Sequence, residues 1–456
     1  MSIREETPVQ ERKLAYIVEI LLSIGVALLA GLLMTRVIKP LGLPAVTGYL
    51  VAGVLIGPYC FGGLCSLLGA EGIGFGTMAY VERFGIISDV ALGFIAFSIG
   101  NEFRLAQLRQ TGRQATVIGV VQALVAALFV DAALCALSAV LGQDRFPYSV
   151  AITLGAVATA TAPAATLMVV RQYKAKGPLT DLLLPIVALD DAVGLVVFAV
   201  SFGIARAMVS GTVDIVSILV DPLLEIVASL VLGTVMGWLF SQTEKLFASR
   251  SKRLSVSVMF VILTVAVSML KFRIGAVTVG FSSLLSCMML GTIFCNVCES
   301  SEELMDRVDR WTTPLFILFF VISGAELELS VFADWAIVGV GIVYILFRSL
   351  GKYFGARGSA RLTGCSDTIV KYLGITLLPQ AGVALGMSVT AMELGPTQGT
   401  IVRNIILFSV LVYELVGPLL TKTVLVKAGE IVPEQRTSSK VINERHLKKR
   451  AERGDL

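Results

Sequence analysis

Apolar residues in this chain neither alternate nor recur on one helical face. They come in long unbroken runs of about 20, set apart by short polar stretches. A run of that length is what an α-helix needs to cross the hydrocarbon core of a bilayer. Thirteen such segments can be read, at roughly 14–37, 43–59, 84–101, 115–141, 148–170, 182–206, 215–240, 255–270, 277–296, 312–329, 335–356, 369–392 and 400–426. The pattern predicts an all-α polytopic membrane protein with about 13 transmembrane helices. Polar stretches after odd-numbered segments are the basic ones, with Arg171, Lys174 and Lys176 after the fifth and Lys245, Arg250, Lys252 and Arg253 after the seventh. Lys and Arg favour the cytoplasmic side, so the N-terminus is expected outside and the C-terminus inside.

Two neighbouring segments break the apolar monotony. The fifth carries Thr159-Ala160-Thr161-Ala162-Pro163 at its centre, and the sixth carries Asp190-Asp191 in the middle of a run long enough to span. Proline removes a donor and frees a carbonyl one turn back, leaving polar backbone where lipid cannot satisfy it. A charge at that depth is costly and usually marks an ion or proton path.

The chain also repeats itself. Met78-Ala79-Tyr80-Val81-Glu82-Arg83 resembles Met305-Asp306-Arg307-Val308-Asp309-Arg310, and Phe97 to Glu102 resembles Val321 to Glu326, at offsets of about 227 and 224 residues. Carried forward, that offset pairs Pro163 with Pro379, next to Gln380 in the twelfth segment. Segments five and twelve differ by an odd number and so run in opposite directions. This predicts an inverted-topology repeat with two crossed discontinuous helices, the way many transporters build midplane ion sites. The expected organisation is an N-terminal arm over 1–13, a transporter domain over 14–427 and a basic cytoplasmic tail over 428–456. Within the transporter domain, repeat one covers about 43–206, repeat two about 277–426, and linking helices 215–270.

Composition narrows the function. The chain is 56% hydrophobic and 15% charged with a mean hydropathy of +0.85, which excludes a soluble domain. A net charge of +4 is too small to indicate nucleic acid. The seven cysteines show no zinc-ligand spacing and the one histidine lies in the tail, so no resident metal or cofactor is expected. Adjacent residues on a helix point about 100° apart, so Asp190 and Asp191 cannot share a catalytic water as the aspartate pair of a protease does, and an enzyme is not expected.

The remaining chemistry is ionic. A desolvated carboxylate beside a like charge takes up either a proton or a cation, and competition for one carboxylate is sufficient for exchange. Thr159 and Thr161 are candidate hydroxyl ligands, although threonines in membrane helices often bond back to their own helix. Asp131 and Arg348 lie mid-span about 217 residues apart, at equivalent places in the two repeats, and are expected to form a buried ion pair. Pairing of Arg348 with Asp190 is the alternative. Lys352 is expected to snorkel to the interface. Glu102 and Glu326 are expected to contact loops or helix ends, and Glu414 to play an interfacial or inter-subunit structural part.

With these residues in place the chain resembles the cation/proton antiporter superfamily, in its two-aspartate, NapA-like sodium/proton branch. The resemblance rests on Leu43 to Leu50 running to Gly57-Pro58, the Thr159 to Thr166 break, Asp190-Asp191, and Leu378-Pro379-Gln380-Ala381-Gly382. It implies an elevator-type exchanger of Na⁺, or K⁺ or Li⁺, for H⁺, embedded in lipid as a homodimer in the bacterial inner membrane, with Asp191 as the main carrier and Asp190 its partner. Electrogenic members of that branch often carry a lysine before the second break, where this chain is read as having Arg348. Because arginine keeps its proton, fewer protons per cycle are expected. A cation channel and a sodium-coupled solute symporter of the same architecture are the alternatives.

Overall fold

The computed structural model describes residues 6–41, 43–69, 73–101, 105–210, 221–247, 249–270, 272–274, 277–298, 301–327, 329 and 335–431. Glu102 and the tail from residue 432 lie outside the described residues. The described chain is helical apart from one short antiparallel hairpin, Phe272–Ile274 with Val277–Val279.

Nine of its helical stretches are long and apolar enough to cross a membrane: Ile17–Ile38, Ala45–Leu67, Gly112–Leu141, Pro178–Val209, Leu224–Glu244, Arg250–Ser268, Ser301–Ala325, Trp335–Leu362 and Pro396–Lys427. Four shorter apolar helices, Gly85–Asn101, Tyr148–Val157, Ser283–Val297 and Gly382–Leu394, occupy the other apolar runs of the sequence. The first helix, α1 (Glu6–Ile38), starts well before residue 14, inside the stretch expected to be an arm. Gln10, Glu11, Arg12 and Lys13 are good helix formers, so the apolar run nucleates a helix that continues into its polar flank.

The helices sort into two bodies. One is built from α1, α2 (Ala45–Ile56), α5 (Gly85–Asn101), α10 (Asp221–Glu244), α11 (Arg250–Ser268), α12 (Ser283–Val297) and α13 (Ser301–Ala325), around a core that includes Leu50, Phe94, Phe97, Phe240, Phe294 and Phe320. The short helices α3 (Phe61–Leu67) and α4 (Met78–Glu82) lie between α2 and α5 in sequence. The other body contains α6 (Leu105–Leu141), α7 (Tyr148–Val157), α8 (Pro163–Tyr173), α9 (Pro178–Ser210), α14 (Trp335–Leu362), α15 (Asp367–Thr376), α16 (Gly382–Thr390) and α17 (Pro396–Lys427). In the first body the backbones of α2 and α13 approach so closely that a Cβ on Gly53 would strike the Val321 carbonyl, and one on Gly324 the Leu50 carbonyl. Small residues permit that approach between membrane helices.

The second body holds the two interruptions. α7 stops at Val157 and α8 starts with Pro163 at its first position, because Pro163 has no N–H to continue the ladder and forces Ala162 into an extended conformation, φ −80° and ψ 106°. α15 stops at Thr376 and α16 resumes at Gly382, with Pro379 between them and Ala381 non-helical at φ −156° and ψ −132°. The two gaps meet, since the Ala162 N–H donates to the Pro379 carbonyl at 2.8 Å.

α9 runs beside them and carries Asp190 and Asp191. Its first turn is closed from the far end of the chain. Glu430 accepts from the backbone N–H groups of Leu179 (2.6 Å) and Thr180 (2.8 Å) and from the Thr180 hydroxyl (2.6 Å). A carboxylate there satisfies orphan donors and complements the helix dipole.

Gly324→Leu is expected to destabilise the detergent-purified protein by about 1–3 kcal/mol, because backbone has to move to make room. Gly339→Ala on α14, where an added Cβ meets nothing within 4 Å, should leave the thermal-unfolding midpoint unchanged. The comparison of the two midpoints checks the α2–α13 contact.

Candidate ion-binding site at the crossing of two broken helices

Breaking two helices inside an apolar body strands carbonyl groups, and the site is built by what bonds to them. Arg348 on α14 is fully buried and spreads over both breaks. Its Nε donates to Ala158 O (3.0 Å), Nη2 to Ala160 O (2.6 Å) and Nη1 to Leu378 O (2.7 Å). Its guanidinium also stacks on the Tyr413 ring, 4.5 Å from the centroid. Gln380 donates to Val157 O at 3.0 Å and to the Tyr344 hydroxyl at 2.9 Å. Lys352 donates to Thr159 O at 2.6 Å. Three side chains therefore satisfy most of the polar backbone that the prolines release.

This arrangement corrects two expectations. Asp131 and Arg348 are not paired. The guanidinium is occupied by carbonyls of both breaks, where the C-terminal ends of the half-helices α7 and α15 concentrate negative potential. The Asp131 carboxylate instead lies over Gly155 of α7, with Oδ1 unpartnered. Nor does Arg348 pair with Asp190. That partner is Lys352, one turn further along α14, whose Nζ is 2.9 Å from Asp190 Oδ2 with both side chains 0% exposed. Lys352 does not snorkel, because its ammonium makes three bonds inside the body, the third to Thr161 Oγ1 at 2.9 Å.

The two aspartates differ sharply in surroundings. Asp190 is saturated. Oδ2 accepts from Lys352 and from the Thr161 hydroxyl at 2.6 Å, and Oδ1 accepts from the buried Gln122 amide of α6. Asp191 is equally buried, yet neither of its carboxylate oxygens has a hydrogen-bond partner among the described residues. Thr161 thus acts through Asp190, whereas the Thr159 hydroxyl bonds back to Ala156 O at 2.7 Å and the residue contributes its carbonyl to Lys352. Across from it, α9 passes close at Gly194, where a Cβ would sit 3.1 Å from Thr159 Oγ1. Pro163, Pro379 and Gln380 all lie at the crossing.

Sequence reasoning missed Gln122, Tyr344, Tyr413 and the role of Lys352. For Lys352 a signal existed, since Arg348 and Lys352 are four apart and share one helix face. A lone arginine serving a break would have had no reason to bring a second cation with it.

An all-helical membrane body with two interrupted helices touching backbone to backbone, and a carboxylate pair beside them, has the architecture of a secondary transporter. Residues 24–427 match the family model described as sodium/hydrogen exchanger, transmembrane, and the chain belongs to that family. Among characterised relatives, the high-affinity Na⁺/H⁺ antiporter NhaS3 of Synechocystis sp. is 24% identical over 392 residues, covering 80% of this chain and 81% of the relative. The Na⁺/H⁺ antiporter NhaS4 of the same organism is 23% identical over 419 residues, covering 90% and 97%. The fold is shared with two solved structures of the sodium proton antiporter MjNhaP1 from Methanocaldococcus jannaschii, each 18% identical. One, at pH 8, has a TM-score of 0.62 over 89% of this chain and 99% of that one. The other has a TM-score of 0.68 over 91% and 98%.

Arg348→Ala is expected to leave three buried carbonyls without donors, at about 1–3 kcal/mol each, and to lower the folded yield in membranes severely. Arg348→Lys should not restore it, because one ammonium cannot reach carbonyls on both breaks with the geometry of a planar fork. Monodispersity on size-exclusion chromatography of the two variants reads this directly.

Proposed function

We propose that the protein is a secondary active Na⁺/H⁺ antiporter in which a Na⁺ ion and a proton compete for Asp191. The observation that carries this reading is the division between the two carboxylates. Asp190 has a full set of donors, whereas Asp191 is as deeply buried and has none. An uncompensated carboxylate in an apolar body has to hold a proton or a cation, and either one relieves the same cost. Membership of the sodium/hydrogen exchanger family gives the pair of ions. The relatives named as Na⁺/H⁺ antiporters support Na⁺ over K⁺ or Li⁺.

Thirteen spans, an inverted repeat, an outside N-terminus and a cytoplasmic C-terminus complete the reading. Two breaks of equal length with a proline in or next to each support the repeat. An elevator motion, in which α6–α9 and α14–α17 move against a scaffold that dimerises, would slide Ala164 and Leu167 of α8 and Leu184 and Ala188 of α9 along the scaffold core they pack into. Along the end of α8 that motion has few polar contacts to break. Arg171 Nη1 meets Asp309 of α13 at 2.5 Å, and Gln172 accepts from the first N–H of α2 at 2.8 Å.

The two-aspartate branch is supported by Asp190-Asp191 together with Lys352. The expectation of a low proton count rested on Arg348 standing where electrogenic members have lysine. The buried Lys352–Asp190 pair supplies a lysine beside the second break that can give up its proton, which supports more than one proton per Na⁺.

Proteoliposomes holding a pH gradient test the function. Na⁺ should dissipate the gradient in the wild type, and Asp191→Asn should reduce the rate at least about 100-fold, as loss of the one binding carboxylate implies. A gradient that Na⁺ leaves intact, with Na⁺ flux still present, supports the channel reading instead. Electrogenicity has its own check: with several protons per Na⁺ the exchange should respond to an imposed membrane potential.

A further inference from the structure

Several of the other buried or half-buried acids among the described residues have a stated partner. Glu244 pairs with Arg253, Asp309 with Arg171, and Glu430 closes the first turn of α9. Glu414, in the middle of α17, is not among them. It is 4% exposed, its Oε2 has no hydrogen-bond partner, and no ion pair joins it to a lysine or arginine among the described residues.

Its neighbours fix its depth. The residue before it, Tyr413, stacks on Arg348, donates to Ile345 O at 2.8 Å and meets the Ser349 hydroxyl at 2.8 Å. Three residues on, Gly417 lies against Pro379 of the second break, where a Cβ would come within 2.9 Å of the proline ring. Glu414 therefore sits within one turn of the crossing. Pro418 lies inside the same helix and has no N–H, so it cannot bond to the Glu414 carbonyl one turn back. The residue thus offers a carboxylate and a backbone carbonyl that lacks its regular helical donor, the oxygen types that hold monovalent cations in broken membrane helices.

Glu326, just past the end of α13, lies within electrostatic reach of Glu414, and Asp89 of α5 and Glu82 of α4 lie within reach of Glu326. Burial deepens along that series: Glu82 is exposed, Asp89 and Glu326 are half-buried, and Glu414 is buried. Glu326 and Asp89 belong to the scaffold body and Glu414 to the body with the breaks, so the series crosses from one to the other. A buried carboxylate with a like charge nearby and no paired cationic side chain is stable only when it holds a proton or a mobile cation.

We infer that Glu414 is a second binding carboxylate for the transported monovalent cation, reached by way of Glu326, between Asp191 and the face of the protein at which α13 ends. This rests on the antiport reading above and adds to it a waypoint on one side only. A purely structural Glu414, held protonated, would have no such sidedness.

Na⁺-driven proton movement in right-side-out and inside-out membrane vesicles distinguishes the two. Glu414→Gln should raise the Na⁺ KM about tenfold at the face where α13 ends and leave it unchanged at the opposite face, with kcat changing less than KM. Glu414→Asp should restore most of the affinity, and Glu326→Gln should shift KM at the same face by a smaller factor. The inference is overturned by a KM unchanged at both faces, or raised equally at both without rescue by aspartate. Should Glu414→Gln fail to fold, Glu326→Gln gives the same one-sided readout, and an unchanged KM there overturns the inference. Failure of the antiport reading looks different, because wild-type vesicles would then show no Na⁺-dependent proton movement at either face.

Discussion

A helix broken inside a membrane leaves carbonyl groups that lipid cannot bond, and this protein breaks two helices at one point. Everything around the crossing answers that constraint. Arg348 joins Ala158 and Ala160 of the first break to Leu378 of the second, and Gln380 and Lys352 reach Val157 and Thr159. Arginine suits the position because its fork offers several donors in a fixed plane and keeps its charge. The buried positive charge is matched by the partial negative ends of α7 and α15 rather than by a carboxylate. That leaves the carboxylates of α9 available for other work.

The adjacency of Asp190 and Asp191 then has a physical sense. Neighbours on a helix face about 100° apart, so one turns to Lys352, Thr161 and Gln122 while the other turns away from every donor among the described residues. Asp190 ties α9 to the first break through Thr161 and to α14 through Lys352. Through those bonds, and the Thr161 bond to Leu377 O, a change at Asp190 is felt by α6, α14 and both breaks.

The broad architecture was legible because its signals are local. Apolar runs of about 20 residues announce spans, and Pro163 and Pro379 announce breaks by what proline lacks. The acidic pair drew attention to α9 through the cost of burying it. The partners were harder to read. Arg348 was expected to seek Asp131 because sequence displays charged side chains, whereas its actual acceptors are backbone carbonyls of residues written as alanine and leucine. Lys352 was placed one turn too far from the centre by assuming that a long side chain near other basic residues reaches for water. Gln122 and Tyr344 carry no charge, and nothing in their own segments marks them.

The closure of α9 by Glu430 bears on how the protein is made. Leu179 and Thr180 leave the ribosome about 250 residues before the carboxylate that bonds their N–H groups. Until α17 has been synthesised and inserted, the first turn of the helix that carries both aspartates lacks its cap. Contacts so distant in sequence form late. The helix with the two aspartates is therefore secured among the last parts of the fold, and a chain cut short before residue 430 would insert its early spans with that helix still unsecured.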